Sequence, residues 1–87
     1  MTAQEIIQAV SNAAIGKGLK ATEVDMIAQF ILYVHIELTY SEVAELFKHN
    51  QHRLILLNVE IIGVRLNIYE EVRDVYETVM GQIKPAA

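Results

Sequence analysis

Residues 38–58 read LTYSEVAELFKHNQHRLILLN, and the rest of the chain is best interpreted outward from them. Thr39 stands three residues before Glu42, so the threonine oxygen can cap free N–H groups while the acid reaches back, which is the pattern of a helix start. A short helix is predicted from about Tyr40 to Phe47, followed by a polar turn and a strongly apolar run. Helix, tight turn and helix is the order of a helix-turn-helix.

The apolar run continues as RLILLNVEIIGVRL at residues 53–66. Its Ile, Val and Leu residues favour a strand, but the run shows neither clean alternation nor a two-residue hairpin turn. A helix flanked by helices is therefore predicted over about residues 51–66. Because the four consecutive apolar residues 54–57 cover a full turn, this helix must be buried on several sides or shared with a partner.

Three more helix starts repeat the pattern of a side-chain acceptor followed three residues later by an acid. They are Thr2 before Glu5, Thr22 before Asp25, and Asn67 before Glu70. The first helix is predicted to end at Gly16 and Gly18, and the last to run from Ile68 to about Ile83. Helical spacing predicts that the following residues face a core: Ile6, Ile7, Val10, Ala14, Val24, Ile27, Ile31, Val34, Leu38, Val43, Leu46, Phe47, Val72, Val75 and Val79. The predicted fold class is all-α, a compact single domain over residues 1–87 with four to five helices that include a helix-turn-helix.

The composition and net charge limit the classes of function that the chain can have. The chain has 87 residues of which 53% are hydrophobic, a large apolar fraction for so small a body, so a self-associated state, most simply a dimer, is expected. A net charge of −4 argues against a surface that binds polyanions over its whole extent. The chain has no cysteine, no signal-peptide pattern and no run near the ~20 apolar residues of a membrane span. A cytoplasmic protein without membrane contact is expected.

Residues Ile27 to Ile62 resemble the C-terminal DNA-binding domain of the bacterial replication initiator DnaA, a helix-turn-helix domain of the Trp-repressor-like type. That family reads I-A-x-[YF]-L, then L-[ST]-L-x-E-I-G-x-x-F, then G-x-R-D-H-[ST]-T-V. The positions that match are Ile27, Ala28, Phe30, Ile31, Leu38, Thr39, Glu42, Val43, Ala44, Phe47, His52 and Ile55. The order of the segments extends the resemblance to about residues 22–83.

The resemblance implies a small DNA-binding protein, a regulator linked to replication or transcription whose partner is double-stranded DNA. By position, the turn and the start of the following helix would contact DNA, and two lysines of the preceding loop would contact phosphate. The implied nucleic-acid-binding residues are Lys48, Asn50, Gln51, His52, Arg53, Lys17 and Lys20. A plainer interpretation is that the turn is polar because turns are, with Asn50 as the cap of the next helix.

The chain departs from the family where the family touches DNA. The basic loop is reduced to GKGLKATEVD at residues 16–25, and Asn50 and Gln51 replace the family's Arg-Asp pair. Residues 39–65 carry three cationic and three acidic side chains, whereas several phosphate contacts require a positive face.

The alternative is a diverged helix-turn-helix that has lost DNA binding and serves as a homodimerising or protein-interaction module. Its oligomer interface would be Leu54, Leu57, Ile61 and Val64. Four tyrosines, Tyr33, Tyr40, Tyr69 and Tyr76, would lie at its rim. The sequence equally allows these apolar side chains to form the core of a monomer.

Neither a metal site nor an active site is predicted. His49 and His52 are three residues apart and could be joined by His35, but no H-E-x-x-H motif or cysteine completes a ligand set. Ser11 and Ser41 have no base at a recognisable spacing. The expectation is a protein that is not an enzyme and has no catalytic residues, metal or cofactor.

Overall fold

The computed structural model describes residues 1–48 and 51–83. These contain five α-helices: α1 (Ala3–Ala13), α2 (Ala21–Phe30), α3 (Tyr40–Leu46), α4 (His52–Ile68) and α5 (Glu70–Ile83). A π-helical segment, Ile31–His35, continues α2. The described residues contain no strand, so the predicted all-α fold is confirmed, and residues 53–66 are helical rather than extended.

Two of the four predicted helix starts are confirmed in detail. At α1, the Glu5 N–H donates to Thr2 Oγ1 at 3.1 Å and the Thr2 N–H donates to Glu5 Oε1 at 2.7 Å. At α3, the same reciprocal pair joins Thr39 and Glu42 at 3.1 Å and 3.0 Å. Because these hydrogen bonds favour the ionised carboxylate, they lower the pKa of Glu5 and of Glu42.

The prediction that Thr22 starts α2 is wrong. The helix begins at Ala21, with Lys20 in the capping position, and the Lys20 N–H donates to Glu23 Oε1 at 3.4 Å. Glu23, and not Asp25, therefore supplies the carboxylate that accepts from the capping residue. The capping residue is Lys20, two residues before the predicted Thr22.

The prediction that Asn67 starts α5 is also wrong. The helix α4 continues through Asn67 to Ile68, and α5 begins at Glu70 after a single extended residue. The Arg73 guanidinium on α5 donates to the carbonyl oxygens of Leu66 and Asn67 at 3.0 Å and 3.3 Å. The free carbonyls at the end of α4 are thus satisfied from the next helix, which lets α4 extend further than its sequence suggests.

Every helix contributes to one core. Its buried apolar residues are Ile6, Ala9, Val10, Ile27, Ala28, Ile31, Leu32, Val43, Ala44, Ile55, Val59, Ile62, Val72, Val75 and Val79. The helix α4 packs chiefly on α2 and also on α3 and α5. The other helices enclose α4 only in part, since Leu57 and Val64 stay exposed.

Val34 was predicted to face the core, but its side chain is 42% exposed. The reason is the π-helical segment, in which the Ile36 N–H donates to the Ile31 carbonyl at 3.2 Å, five residues back. The wider turn changes the phase of the helix after Ile31, and Val34 is rotated outward. None of the helices within residues 1–48 and 51–83 is long and apolar enough to cross a membrane.

Candidate interaction surface

One side of the helix α4 packs against the core. Ile55, Val59 and Ile62 are buried and Leu66 is half-buried against them. At about 100° per residue these four positions fall within roughly 60° of one another around the helix. The opposite side of α4 is therefore left to solvent.

That opposite side is apolar. Five residues spaced by three, four, three and four form what we call the α4 stripe: Leu54, Leu57, Ile61, Val64 and Ile68. Leu57 is 49% exposed, Val64 58% and Ile68 62%, while Leu54 is 39% exposed and Ile61 half-buried. The stripe runs along about 21 Å of helix and repeats with the heptad spacing of a coiled-coil seam.

The four predicted interface residues all belong to this stripe. None of them is in the buried core, and none is among the half-buried side chains packed against it. The alternative that they form the core of a monomer is therefore wrong. Sequence reasoning missed Ile68, because the helix was predicted to end near residue 66, although the heptad spacing itself pointed to residue 68.

Charged residues flank the stripe on both sides. Glu60 lies about 70° from the centre of the stripe on one side and Arg65 about 70° on the other. Arg65 Nη1 donates to Glu23 Oε2 at 2.7 Å, yet the Arg65 side chain stays 37% exposed. Arg53 is exposed near the start of α4, on the same side as Glu60.

A partly buried polar pair joins α4 to α2 beside the stripe. Asn58 Nδ2 donates to Gln29 Oε1 at 2.8 Å. Gln29 is only 1% exposed, and its Nε2 has no hydrogen-bond partner within the described part of the chain. These two amides line a cavity of about 240 Å³ together with Asp25, Met26 and Leu54.

Of the predicted rim tyrosines, two remain near the flank of α4. Tyr33 and Tyr40 stack with ring centroids 4.3 Å apart. A hydrogen bond to Tyr33 raises the pKa of Tyr40, burial adds to this shift, and the neighbouring charge of Glu60 contributes in the same direction. Tyr69 is exposed at the far end of α4.

The fourth tyrosine belongs to a different cluster. The hydroxyl of Tyr76 lies 2.6 Å from His35 Nε2, and the Tyr76 ring meets Phe30 edge-on at 5.8 Å. Burial raises the pKa of the Tyr76 hydroxyl because the phenolate would lose its water. His35 is thus a packed histidine.

Three of the predicted nucleic-acid-binding residues, Gln51, His52 and Arg53, lie at the start of α4, and a fourth, Lys48, follows the end of α3. Lys48, Gln51, His52 and Arg53 are all exposed. His52 Nδ1 lies 3.2 Å from Ser41 Oγ, which joins the start of α4 to the start of α3. Asn50 lies outside the described residues. Gln51 occupies the capping position of α4 and makes no side-chain capping hydrogen bond. The prediction that Asn50 caps this helix concerns a residue outside the described ranges and stays a prediction.

The two loop lysines lie elsewhere. Lys17 Nζ is 3.7 Å from Asp74 of α5, and Lys17 shares a cavity with Arg65 and Tyr69 at the far end of α4. From His52 to Arg65 the helix rises about 20 Å. Lys20 is exposed just before α2. The six predicted nucleic-acid-binding residues that the structure describes therefore do not form one cluster.

Acidic side chains accompany the cations near the turn. Glu42 and Glu45 of α3 are exposed and line one cavity together with Lys48. The charge around the turn is therefore mixed.

Histidines and carboxylates are scattered in the described ranges. Residues 1–48 and 51–83 contain no group of three His, Cys, Asp or Glu side chains able to hold a metal ion. His52 contacts Ser41 and His35 contacts Tyr76, while His49 lies outside the described residues.

Comparison of the chain with protein-family models, with curated proteins and with solved structures finds no match.

Proposed function

We propose that this protein is a helical interaction module that forms a homodimer through the α4 stripe. The observation that carries the proposal is a row of five apolar side chains at heptad spacing on the side of α4 that faces away from the core. Contiguous exposed apolar surface of this kind marks an interaction site in a small protein.

A second copy of the same chain fits this surface by shape. A straight heptad seam is complementary to another such seam, because each side chain enters a hole formed by side chains of the facing helix. A two-fold dimer uses the same patch on both subunits and closes without leaving a stripe exposed. The total accessible surface of the chain is 5484 Å². A standard interface covers about a tenth of a small protein's surface, so the stripe and its flanks would need to bury roughly 500 Å² on each copy.

The free energy gained by burying the stripe predicts a weak dimer. Complete burial of a Leu, Ile or Val side chain is worth about 1.5–3 kcal/mol, so burying the exposed half gives about 1 kcal/mol per side chain. Ten stripe side chains in a dimer therefore contribute about 10 kcal/mol before the cost of association, which is at least about 4 kcal/mol. A cost of about 4–6 kcal/mol leaves about 4–6 kcal/mol, which corresponds to a dissociation constant between roughly 40 µM and 1 mM.

Sedimentation velocity over about 5 µM to 2 mM tests the proposal, since this range brackets the expected dissociation constant. The wild-type chain should shift from monomer to dimer, and Leu57→Glu should stay monomeric because a carboxylate would be buried in the seam. Leu56→Glu is the matched control, because Leu56 is 39% exposed on the same helix but lies about 120° from the centre of the stripe. A wild-type chain that is monomeric at 2 mM would refute the proposed function.

A second candidate is a contact with double-stranded DNA, supported by the exposed side chains of Gln51, His52 and Arg53 at the start of α4 and of Lys48 after α3. These side chains can donate to phosphates or base edges, and the resemblance to the DnaA C-terminal domain makes such a protein a regulator of replication or transcription. The exposed acids of α3 and the apolar side of α4 make this candidate weaker than the first.

Fluorescence anisotropy with a mixed-sequence duplex at about 20 mM and 150 mM salt tests the DNA contact, because phosphate contacts weaken steeply with salt. If DNA binds at this site, the double substitution Lys48→Ala and Arg53→Ala should abolish binding, while Lys20→Ala should leave most of it. No binding by the wild-type chain at the lower salt would refute this candidate.

A further inference from the structure

We infer that the two copies pack with their α4 helices parallel, related by a two-fold axis along the helices, and that Glu60 of one copy meets the partner's Arg65. This inference rests on the proposed homodimer and adds the orientation and the residues that specify it. It follows from the charges that flank the α4 stripe on its two sides.

In heptad terms, Glu60 directly precedes the stripe residue Ile61, and Arg65 directly follows Val64. With Leu54, Ile61 and Ile68 at heptad position a, Glu60 occupies position g and Arg65 position e. In a parallel coiled coil, a residue at position g lies against the partner's residue at position e, five residues later in the sequence. Glu60 then faces the partner's Arg65, and the two-fold symmetry makes this opposite-charge contact twice. Electrostatic complementarity of this kind fixes orientation and register more than it adds affinity.

The two antiparallel registers that pair four stripe residues of each copy make no such contact. With Leu54 against the partner's Val64, Glu60 faces the partner's Glu60 and like charges meet. With Ile61 against the partner's Val64, Glu60 faces the partner's Asn67, and Arg65 faces the partner's Asn58. Among these three arrangements, only the parallel one matches a carboxylate with a guanidinium.

Arg65 can serve both copies. Its hydrogen bond to Glu23 uses one N–H of Nη1, and the side chain remains 37% exposed. A guanidinium has five N–H donors, so further donors remain for a carboxylate that approaches from the solvent side.

The start of α4 fits the same arrangement. The parallel register also places the partner's Arg53 opposite Asn58, which lines the cavity of about 240 Å³ beside the stripe. The carboxylate-bearing Asp25 lines this cavity as well, together with the amide of Gln29. The partner's Arg53 would then lie beside a cavity whose lining includes a carboxylate and two amides.

Cysteine cross-linking tests the orientation directly, because the chain contains no cysteine of its own. In a parallel dimer, matching stripe positions face each other, within the ~4.4–6.8 Å Cα separation that a disulfide needs. In either antiparallel register, the two Leu54 positions are at least about 15 Å apart along the axis, and so are the two Ile68 positions. Leu54→Cys and Ile68→Cys should therefore each form disulfide-linked dimers under mild oxidation.

The matched control is Leu56→Cys, which lies on the same helix outside the stripe and should cross-link only at the slow rate of random collisions. If neither Leu54→Cys nor Ile68→Cys exceeds that rate, or if a mixture of Leu54→Cys with Val64→Cys cross-links faster than either alone, the parallel arrangement is refuted.

A charge exchange tests the proposed ion pair. Glu60→Lys alone should weaken the dimer about 3- to 10-fold, since it places cations opposite each other at two exposed sites. Arg65→Glu alone should weaken it similarly, and an equimolar mixture of the two variants should restore a dimer in which both contacts are attractive. If Glu60→Lys instead pairs preferentially with the wild-type chain, the helices are antiparallel.

The outcomes separate the two proposals. A wild-type dimer that Leu57→Glu abolishes, combined with the cross-linking of an antiparallel pair, retains the proposed function and refutes the parallel orientation. A wild-type chain that is monomeric throughout refutes both. Circular dichroism of Arg65→Glu checks that loss of its bond to Glu23 has not unfolded the variant, and Glu60→Lys and the cysteine variants do not depend on that bond.

Discussion

The partly buried amide pair between α2 and α4 predicts opposite effects for substitutions of its two members. Gln29 is 1% exposed, with Oε1 accepting from Asn58 and Nε2 unpaired within the described residues. Asn58 is only half-buried. We therefore expect Gln29→Met to stabilise the fold and Asn58→Leu to destabilise it, although each removes the same hydrogen bond.

The magnitudes follow from which polar groups each change leaves behind. A buried polar group without a partner costs about 1–3 kcal/mol, whereas a satisfied hydrogen bond contributes only about 1 kcal/mol net. Gln29→Met removes the unpaired Nε2, and Asn58, which keeps solvent contact, can bond to water instead. The net gain should be about 1 kcal/mol. Asn58→Leu leaves both polar atoms of Gln29 unpaired, so its cost should be about 1–3 kcal/mol.

Urea denaturation followed by far-ultraviolet circular dichroism measures both changes. A protein concentration of about 2 µM lies below the expected dimer range, so the transition reports the monomer. The midpoints should move in opposite directions at an unchanged m value. Destabilisation by Gln29→Met of about 1 kcal/mol or more would refute the reasoning, because it would mean that Nε2 makes a stabilising interaction.

Three further predictions concern the fold. Thr39→Ala should cost about 1 kcal/mol in urea denaturation, since it removes one half of the capping box of α3. Ile62→Ala should cost about 2–5 kcal/mol because Ile62 is fully buried, whereas Val34→Ala, at an exposed site, should stay within about 0.5 kcal/mol. The pKa of Glu42 is lowered chiefly by the hydrogen bond from the Thr39 backbone N–H. Its stabilising effect is therefore present at neutral pH and is lost as the pH falls through that pKa, so Glu42→Gln should narrow the stability difference between pH 7 and about pH 3 in urea titrations.

The predictable parts of this fold depend on contacts between near neighbours in the sequence. The reciprocal caps at Thr2 and Thr39 use partners three residues away, and both were predicted correctly. Thr22 failed because Glu23, three residues after Lys20, makes the competing contact. Asn67 failed because Arg73 satisfies the end of α4 from the following helix, a contact that only the packed structure contains.

The two sides of α4 could not be assigned from the sequence alone. Residues 54–57 are all apolar, so periodicity did not distinguish the core side from the solvent side. The assignment depends on where α2, α3 and α5 pack, and they leave Leu57 and Val64 exposed while burying Ile55 and Ile62. The pairing of Gln29 with Asn58 joins residues 29 positions apart and carries no local signal.

The two candidate functions compete for one helix. A helix that reads the major groove presents polar side chains to base edges along its exposed side, whereas α4 presents Leu57, Ile61 and Val64 there. Arg53 is the residue that both uses require, since it would contact phosphate in one and the partner's cavity in the other. If both functions exist, added DNA should shift the sedimentation equilibrium of the wild-type chain toward monomer. Dimerisation unaffected by bound DNA would place the DNA contact outside α4.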